Sequence, residues 1–189
     1  MAANAEMSVS IGGFGAIGMA VARALDGRSI PGMRLAAVSA NDKPAATARM
    51  KDYASPVPVM GLAELADTSD IVIECAPSAV FREVAEAAIE KGLIFMPLSC
   101  GQLLDHMDLV TRAEETGARI VVPTGALLGL DAVRGAAEGE IESVTMVTRK
   151  PPSGLAGAPH LVENDLHIFQ RQWQRAGRGR LRVCTLGKG

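Results

Sequence analysis

Six residues near the start of the chain, Gly13-Phe14-Gly15-Ala16-Ile17-Gly18, limit its fold more than any other segment. They follow a short apolar run, Met7–Ile11, and lead into a stretch where Ile17, Val21 and Leu25 recur every four residues. That spacing predicts a buried helix face. Glycines at these intervals between a strand and a helix form the dinucleotide-binding fingerprint. The first glycine permits the tight turn, the second lets backbone approach a pyrophosphate, and the third lets the helix pack closely on the sheet. The helix start then offers free N–H groups and a partial positive charge to phosphates. Alone the pattern is weak, and a glycine-rich turn that binds nothing is the alternative. Strand, spacing and helix together favour the nucleotide.

The rest of the chain keeps the same rhythm. Arg34–Val38 reads as a second strand and Val57–Val59 as a short third; Asp70–Cys75, Leu93–Leu98 and Arg119–Val122 read as further strands. Between them Val80, Val84, Ala87 and Ala88 suit a helix stopped at Gly92, and Leu104, Met107 and Val110 suit another stopped near Gly117. Strand–helix alternation of this kind predicts crossover units on a mostly parallel, doubly wound sheet. The fold class expected is therefore α/β of the Rossmann type.

Beyond about residue 132 the pattern changes. Ile141–Arg149 alternates polar and apolar residues, as a half-buried strand opening a second sheet does. From Ile168 no periodicity stands out. Residues 1–165 hold 13 Lys/Arg against 21 Asp/Glu, whereas residues 166–189 hold six basic residues and no acidic one. The organisation expected is a dinucleotide-binding domain over 1–132, the truncated start of a second α+β domain over 133–167, and an atypical basic tail over 168–189.

Composition narrows the function classes. Cys75, Cys100 and Cys184 are odd in number and widely spaced, so neither a disulfide framework nor a zinc site is expected. The N-terminal MAANAEMS lacks the basic and apolar regions of a signal peptide, and no run approaches the ~20 apolar residues of a membrane span. A soluble, cytoplasmic protein is expected. The tail's six basic residues match no known motif, which argues against nucleic-acid binding.

Candidate site residues follow from the strand ends. After the second strand come Ser39, Ala40, Asn41, Asp42 and Lys43. An acidic residue there, about 20 residues past the glycines, would hold the ribose 2′-OH of NAD. Asp42 comes late for that role and equally suits a helix N-cap. Ser39, Asn41 and Lys43 could instead hold a 2′-phosphate, so NAD and NADP both stay open. Cys75-Ala76-Pro77, Ser99-Cys100-Gly101 and Pro123-Thr124-Gly125-Ala126 close three successive strands with small residues, leaving room for a flat ring. Cys100, beside a helix start, is a candidate nucleophile for a semialdehyde or acyl-phosphate reductase, or else a small buried residue. His106, His160 and His167 show no partner, and no residue is assigned a catalytic role.

With these motifs placed, the chain resembles the L-aspartate dehydrogenase family. The segments that carry the resemblance are Ile11–Gly18, Glu74–Pro77, Leu98–Gly101, Pro123–Ala132 and Thr148–Pro152. The Gly-Ala-x-x-Gly-Leu-Asp-Ala run at Gly125–Ala132, followed by Thr-Arg-Lys-Pro-Pro, is the specific part. It covers about residues 7–167. What the resemblance implies is NAD- or NADP-dependent oxidative deamination of L-aspartate to iminoaspartate, which feeds NAD biosynthesis or hydrolyses to oxaloacetate and ammonia. It also implies a two-domain homodimer. Residue by residue it implies that Gly13, Gly15, Ala16, Ile17 and Gly18 take the pyrophosphate, with Phe14 in the same cofactor-binding loop. Ala76 and Pro77 would border the ribose, Ser99, Cys100 and Gly101 the nicotinamide side, and Ala126 the cofactor. The family usually has Thr at the position of Cys100.

The tail departs from that pattern. The family's catalytic histidine and an Asn-x-Asn-Val-Ala-Ala segment lie beyond the equivalent of Leu166, where this chain has Ile168–Gly189. The expectation is cofactor binding with impaired turnover. A non-catalytic dinucleotide-binding module is the rival reading.

Overall fold

The computed structural model describes residues 6–124, 130–141, 143–145 and 185–187. The chain divides into two compact units, Met1–Leu127 and Leu128–Gly189. In the first, β1 (Met7–Gly12) runs into α1 (Ala16–Asp26), followed by β2 (Met33–Ser39), α2 (Lys43–Arg49) and β3 (Val59–Met60). A 3-10 turn at Ala63–Asp67 precedes β4 (Ile71–Glu74), and another at Ser78–Val80 precedes α3 (Phe81–Glu90). Then come β5 (Ile94–Pro97), α4 (Gln102–Asp105), α5 (Met107–Thr116) and β6 (Arg119–Ile120).

The six strands form one sheet in the order β3-β2-β1-β4-β5-β6, with every neighbouring pair parallel. This is the Rossmann strand order. Strand order reverses between β1 and β4, and at such a switch point the loops leaving the two carboxyl ends diverge and open a crevice. Gly12 pairs with Ser39 on one side and Glu74 on the other, so these three residues mark the rim of that crevice.

Both sheet faces are covered. Ile71 packs with Val9, Ile11, Leu25, Leu35 and Met50 in one buried cluster, whereas its neighbour Val72 packs with Phe81, Val84, Phe95 and Leu109 in another. Successive strand residues point to opposite faces, which accounts for the near-continuous apolar runs of the central strands. Phe81 and Phe95 meet edge to face, ring centroids 5.8 Å apart, so two of the few aromatic side chains anchor one layer.

Several helix faces differ from the sequence expectation. In α1 the buried residues are Gly18, Ala22 and Leu25, and Ile17 is 59% exposed. The close seat of Gly18 against the loop sets the helix rotation, which leaves Ile17 outside. The helix expected across Leu104, Met107 and Val110 is broken at His106 (φ −132°, ψ 48°), between α4 and α5. Its core residues are Leu103, Leu109 and Ala113, whereas Leu104 and Met107 are 79% and 56% exposed. His106 is half-buried and stacks on Phe81. The third strand lies at Val59–Met60 rather than Val57–Val59. Gly92 and Gly117 do stop their helices, both at positive φ (69° and 75°).

In the second unit, α6 (Leu130–Ala136) is described, and β7 (Ser143–Thr145) pairs antiparallel with β8 (Thr185–Gly187). The strand at Thr185–Gly187 falls in the basic tail, where a three-residue strand is too short to show alternation in sequence. The part of the expected Ile141–Arg149 strand from Met146 onward lies outside the described residues, as do Ala126, His160, His167 and Cys184. Among the described residues no helix is long and apolar enough to cross a membrane.

Candidate functional site

A cleft of about 490 Å³ opens at the carboxyl ends of β1, β2 and β4. That is the size range of small-ligand sites. Gly13, Phe14 and Gly15 form its floor, Ser39, Asn41 and Asp42 one wall, and Ala76 and Pro77 the other. These eight sequence candidates are therefore brought together. Ala40 and Cys75, from the same strand-end turns, and Arg49, Leu62 and Val80, which sequence reasoning did not single out, complete the lining.

The three glycines do different work. Gly13 sits at φ +107°, and a Cβ there would lie 2.5 Å from the Cys75 carbonyl oxygen. A Cβ at Gly18 would lie 2.0 Å from the Gly13 carbonyl oxygen. Both positions are closed to any side chain by backbone alone. Gly15 is different: a Cβ there meets nothing within 4 Å. The fold does not require glycine at position 15, and the missing side chain leaves the backbone there open to the cleft. The start of α1 supports an anionic occupant, since no side chain caps it and its first turn holds no acid.

Phe14 turns its ring into the core, 4% exposed, so only its main chain faces the cleft. Its carbonyl accepts a hydrogen bond from Nη1 of Arg49 at 3.3 Å. Asp42 takes the capping role: its Oδ1 accepts the Ala45 N–H at 2.9 Å at the start of α2. Arg49 was legible in principle. It lies seven residues, two helical turns, after Asp42 and thus on the same side of α2.

Glu74 organises the opposite wall. Its side chain is fully buried and, among the described residues, without a cationic partner. Oε1 accepts the Ala76 N–H at 2.9 Å and the Ser99 hydroxyl at 3.2 Å, and Oε2 accepts the Ser99 N–H at 2.9 Å. The loops after β4 and β5 are thus tied to one carboxylate. Beside it, burial and the Glu74 charge push the Cys75 thiol up to about 11. Cys75 is a protonated wall residue at neutral pH.

Ala16, Ile17 and Gly18 lie on α1 behind the floor, and Ser99, Cys100 and Gly101 sit at the end of β5; none of these six lines the cleft. Cys100 Sγ lies 3.2 Å from the Pro97 carbonyl oxygen and 3.9 Å from that of Pro123. No hydrogen bond joins it to a histidine among the described residues, so the arrangement of an activated thiolate is not seen there. Among the described residues no cluster of ligating side chains could hold a metal ion.

A parallel sheet in this order, a glycine loop at its switch point and a helix start left open to an anion define a Rossmann dinucleotide-binding domain. The family model described as homoserine dehydrogenase, NAD binding domain, matches residues 13–123, and the chain belongs to that family.

Its relatives are more particular. The chain is 46% identical over 168 residues to L-aspartate dehydrogenase 3 of Bordetella bronchiseptica, covering 89% of this chain and 62% of that protein. It is 45% identical over 166 residues to an L-aspartate dehydrogenase of Bradyrhizobium diazoefficiens, covering 88% and 59%. The resemblance read from the Gly125–Ala132 and Thr148–Pro152 runs is borne out by these relatives. Among solved structures, aspartate dehydrogenase from Thermotoga maritima superposes with a TM-score of 0.57 at 17% identity, covering 79% of this chain and 59% of that one. At that identity the likeness is one of fold. The chain spans about three fifths of the length of the curated relatives it matches.

Proposed function

We propose that this protein oxidises L-aspartate at Cα with NAD or NADP, and that the residues described here supply the nucleotide's bed. The observation that carries the first half of this reading is the open space above Gly15, at an uncapped helix start, inside a cleft of ligand size. Identity of 45–46% to L-aspartate dehydrogenases supports the substrate.

The chain's own groups have defined tasks. Main-chain N–H groups at the start of α1 hold the diphosphate. Ala76 and Pro77, fixed by Glu74, border the ribose. Ser99, fixed by the same carboxylate, stands at the next strand end towards the nicotinamide side, with Cys100 and Gly101. When bound, the oxidised nicotinamide accepts the hydride from Cα, leaving iminoaspartate and a released proton. Deprotonating the amine and holding two carboxylates require a positioned base and cations. Of the described residues lining the cleft, only Arg49 and Asp42 carry charge, and both lie on the β2 side. The substrate-binding groups therefore belong to the remainder of the protein. The reading includes a cytoplasmic homodimer, in keeping with the free thiols of Cys75 and Cys100.

The test is titration with NADH and NADPH, followed by an aspartate-dependent assay of nicotinamide reduction on the same sample. Binding of at least one nucleotide is expected, with reduction that is specific to L-aspartate but impaired. Failure to bind either nucleotide overturns the whole reading. Binding without response to aspartate, while another amino or hydroxy acid is oxidised, overturns the substrate.

A further inference from the structure

The relatives and the fold leave the choice of nucleotide open, and the β2 side of the cleft bears on it. We propose that this side is built for a ribose 2′-phosphate, with Arg49 as the residue that grips it, so that the protein prefers NADP(H). The proposal rests on the dinucleotide reading of the Gly13–Gly18 loop.

Three observations converge. First, the position that would repel a 2′-phosphate carries no acid. With the diphosphate on α1, the adenosine half extends towards the end of β2, where a carboxylate would chelate the ribose hydroxyls of NAD. Here β2 ends in buried Ser39, followed by Ala40 and Asn41. The nearest acid, Asp42, is engaged by the Ala45 N–H as the cap of α2.

Second, Arg49 is held at this end of the cleft. It stands in the last turn of α2, exposed, with Nη1 bonded to the Phe14 carbonyl. The buried Phe14 ring fixes that carbonyl, so the guanidinium has an anchored bond on the loop that would bear the diphosphate.

Third, its remaining donors are uncommitted among the described residues. Arg28, Arg82 and Arg112 pair with carboxylates, whereas none lies within 4 Å of Arg49 among the described residues. A guanidinium presents five N–H donors in a fork suited to phosphate.

The experiment is fluorescence titration of the intact protein with NADPH and NADH, repeated for Arg49→Ala and Arg49→Lys. Wild type is expected to bind NADPH about tenfold or more tighter than NADH. Losing a charge-assisted bond raises Kd by about tenfold or more. Arg49→Ala should do this for NADPH while moving NADH less than about threefold, and Arg49→Lys should restore part of the difference. Adenosine 2′,5′-bisphosphate should displace NADPH better than 5′-AMP from wild type and lose that advantage in Arg49→Ala. Equal wild-type affinity for NADH and NADPH, or equal weakening of both by Arg49→Ala, overturns the assignment to Arg49 and leaves the dinucleotide reading intact. Binding of neither nucleotide by wild type overturns both.

Discussion

The buried carboxylate of Glu74 and the Ser99 that follows β5 are joined by two hydrogen bonds, from the main-chain N–H to Oε2 at 2.9 Å and from the hydroxyl to Oε1 at 3.2 Å. With the Ala76 N–H also on Oε1, a single side chain sets the spacing of two adjacent loops. A fully buried carboxylate without a cation survives only if donors replace its water, and here three do.

Glu74→Gln should therefore be costly although it is nearly isosteric. The amide NH₂ would face N–H donors in place of a lone pair and leave at least one of them unsatisfied, a penalty of about 1–3 kcal/mol. Urea unfolding should show the loss, and nucleotide affinity should fall with it because both loops shift. A wild-type midpoint in the variant would contradict the proposed tie.

The glycines of the loop should separate into two kinds. Gly13→Ala collides with the Cys75 carbonyl at a left-handed φ, so the variant should unfold more readily by roughly 2 kcal/mol or more. Gly15→Val meets nothing within 4 Å at its Cβ and has an ordinary φ of −86° at the cap. Its melting temperature should stay within a few degrees of wild type, while nucleotide affinity falls by about two orders of magnitude as the isopropyl group occupies the approach to the backbone. Thermal melts with and without NAD(P)H distinguish the two.

Cys75 gives a pH dependence with a fixed sign. Its thiol is raised from an ordinary value of 9.0 to about 11 by burial and by Glu74. The unfolded thiol ionises first as pH rises, so the folded state holds its proton longer. Its contribution to stability is complete below pH 9 and declines between 9 and 11. Alkylation of Cys75 in the folded protein should correspondingly be slow at neutral pH and accelerate only on approach to 11, as read by mass spectrometry of labelled peptides. Rapid labelling at pH 7 would refute the assigned environment.

At the amino ends of β1 and β4, Asp70 Oδ2 accepts both the N–H and the hydroxyl of Ser8, at 2.7 and 2.6 Å. These bonds hold the Asp70 carboxyl below its usual 3.8, with Arg34 adding to the effect. Ser8→Ala should cost about 1 kcal/mol or less at neutral pH, because Asp70 faces solvent. Its lowered value means that this contribution is present above about 3.8 and is lost as pH falls through the folded value. Wild type and variant should therefore converge in acid. A constant difference down to acid pH would place the effect elsewhere.

The sequence by itself determined the sheet, the loop and the family. Gly18 is forced by the Gly13 carbonyl only five positions away, and the apolar runs of β1 and β4 report burial on both faces, so short-range pattern was enough there; the contact that closes Gly13 comes from Cys75, 62 positions on. What only the tertiary structure decided were relations between distant segments. Ile17 lost its expected place in the core because the seat of Gly18 rotates α1. The helix expected through Leu104 and Met107 broke at His106, whose ring packs on Phe81. Glu74 became the tie between two loops only once β4 and β5 lay side by side, bringing Ser99 within reach across 25 positions. Arg49 joined the cleft only when α2 folded back onto Phe14, 35 positions away. Local periodicity records which residues leave water; it carries no record of which polar groups meet, because that depends on chain crossings that no short window contains.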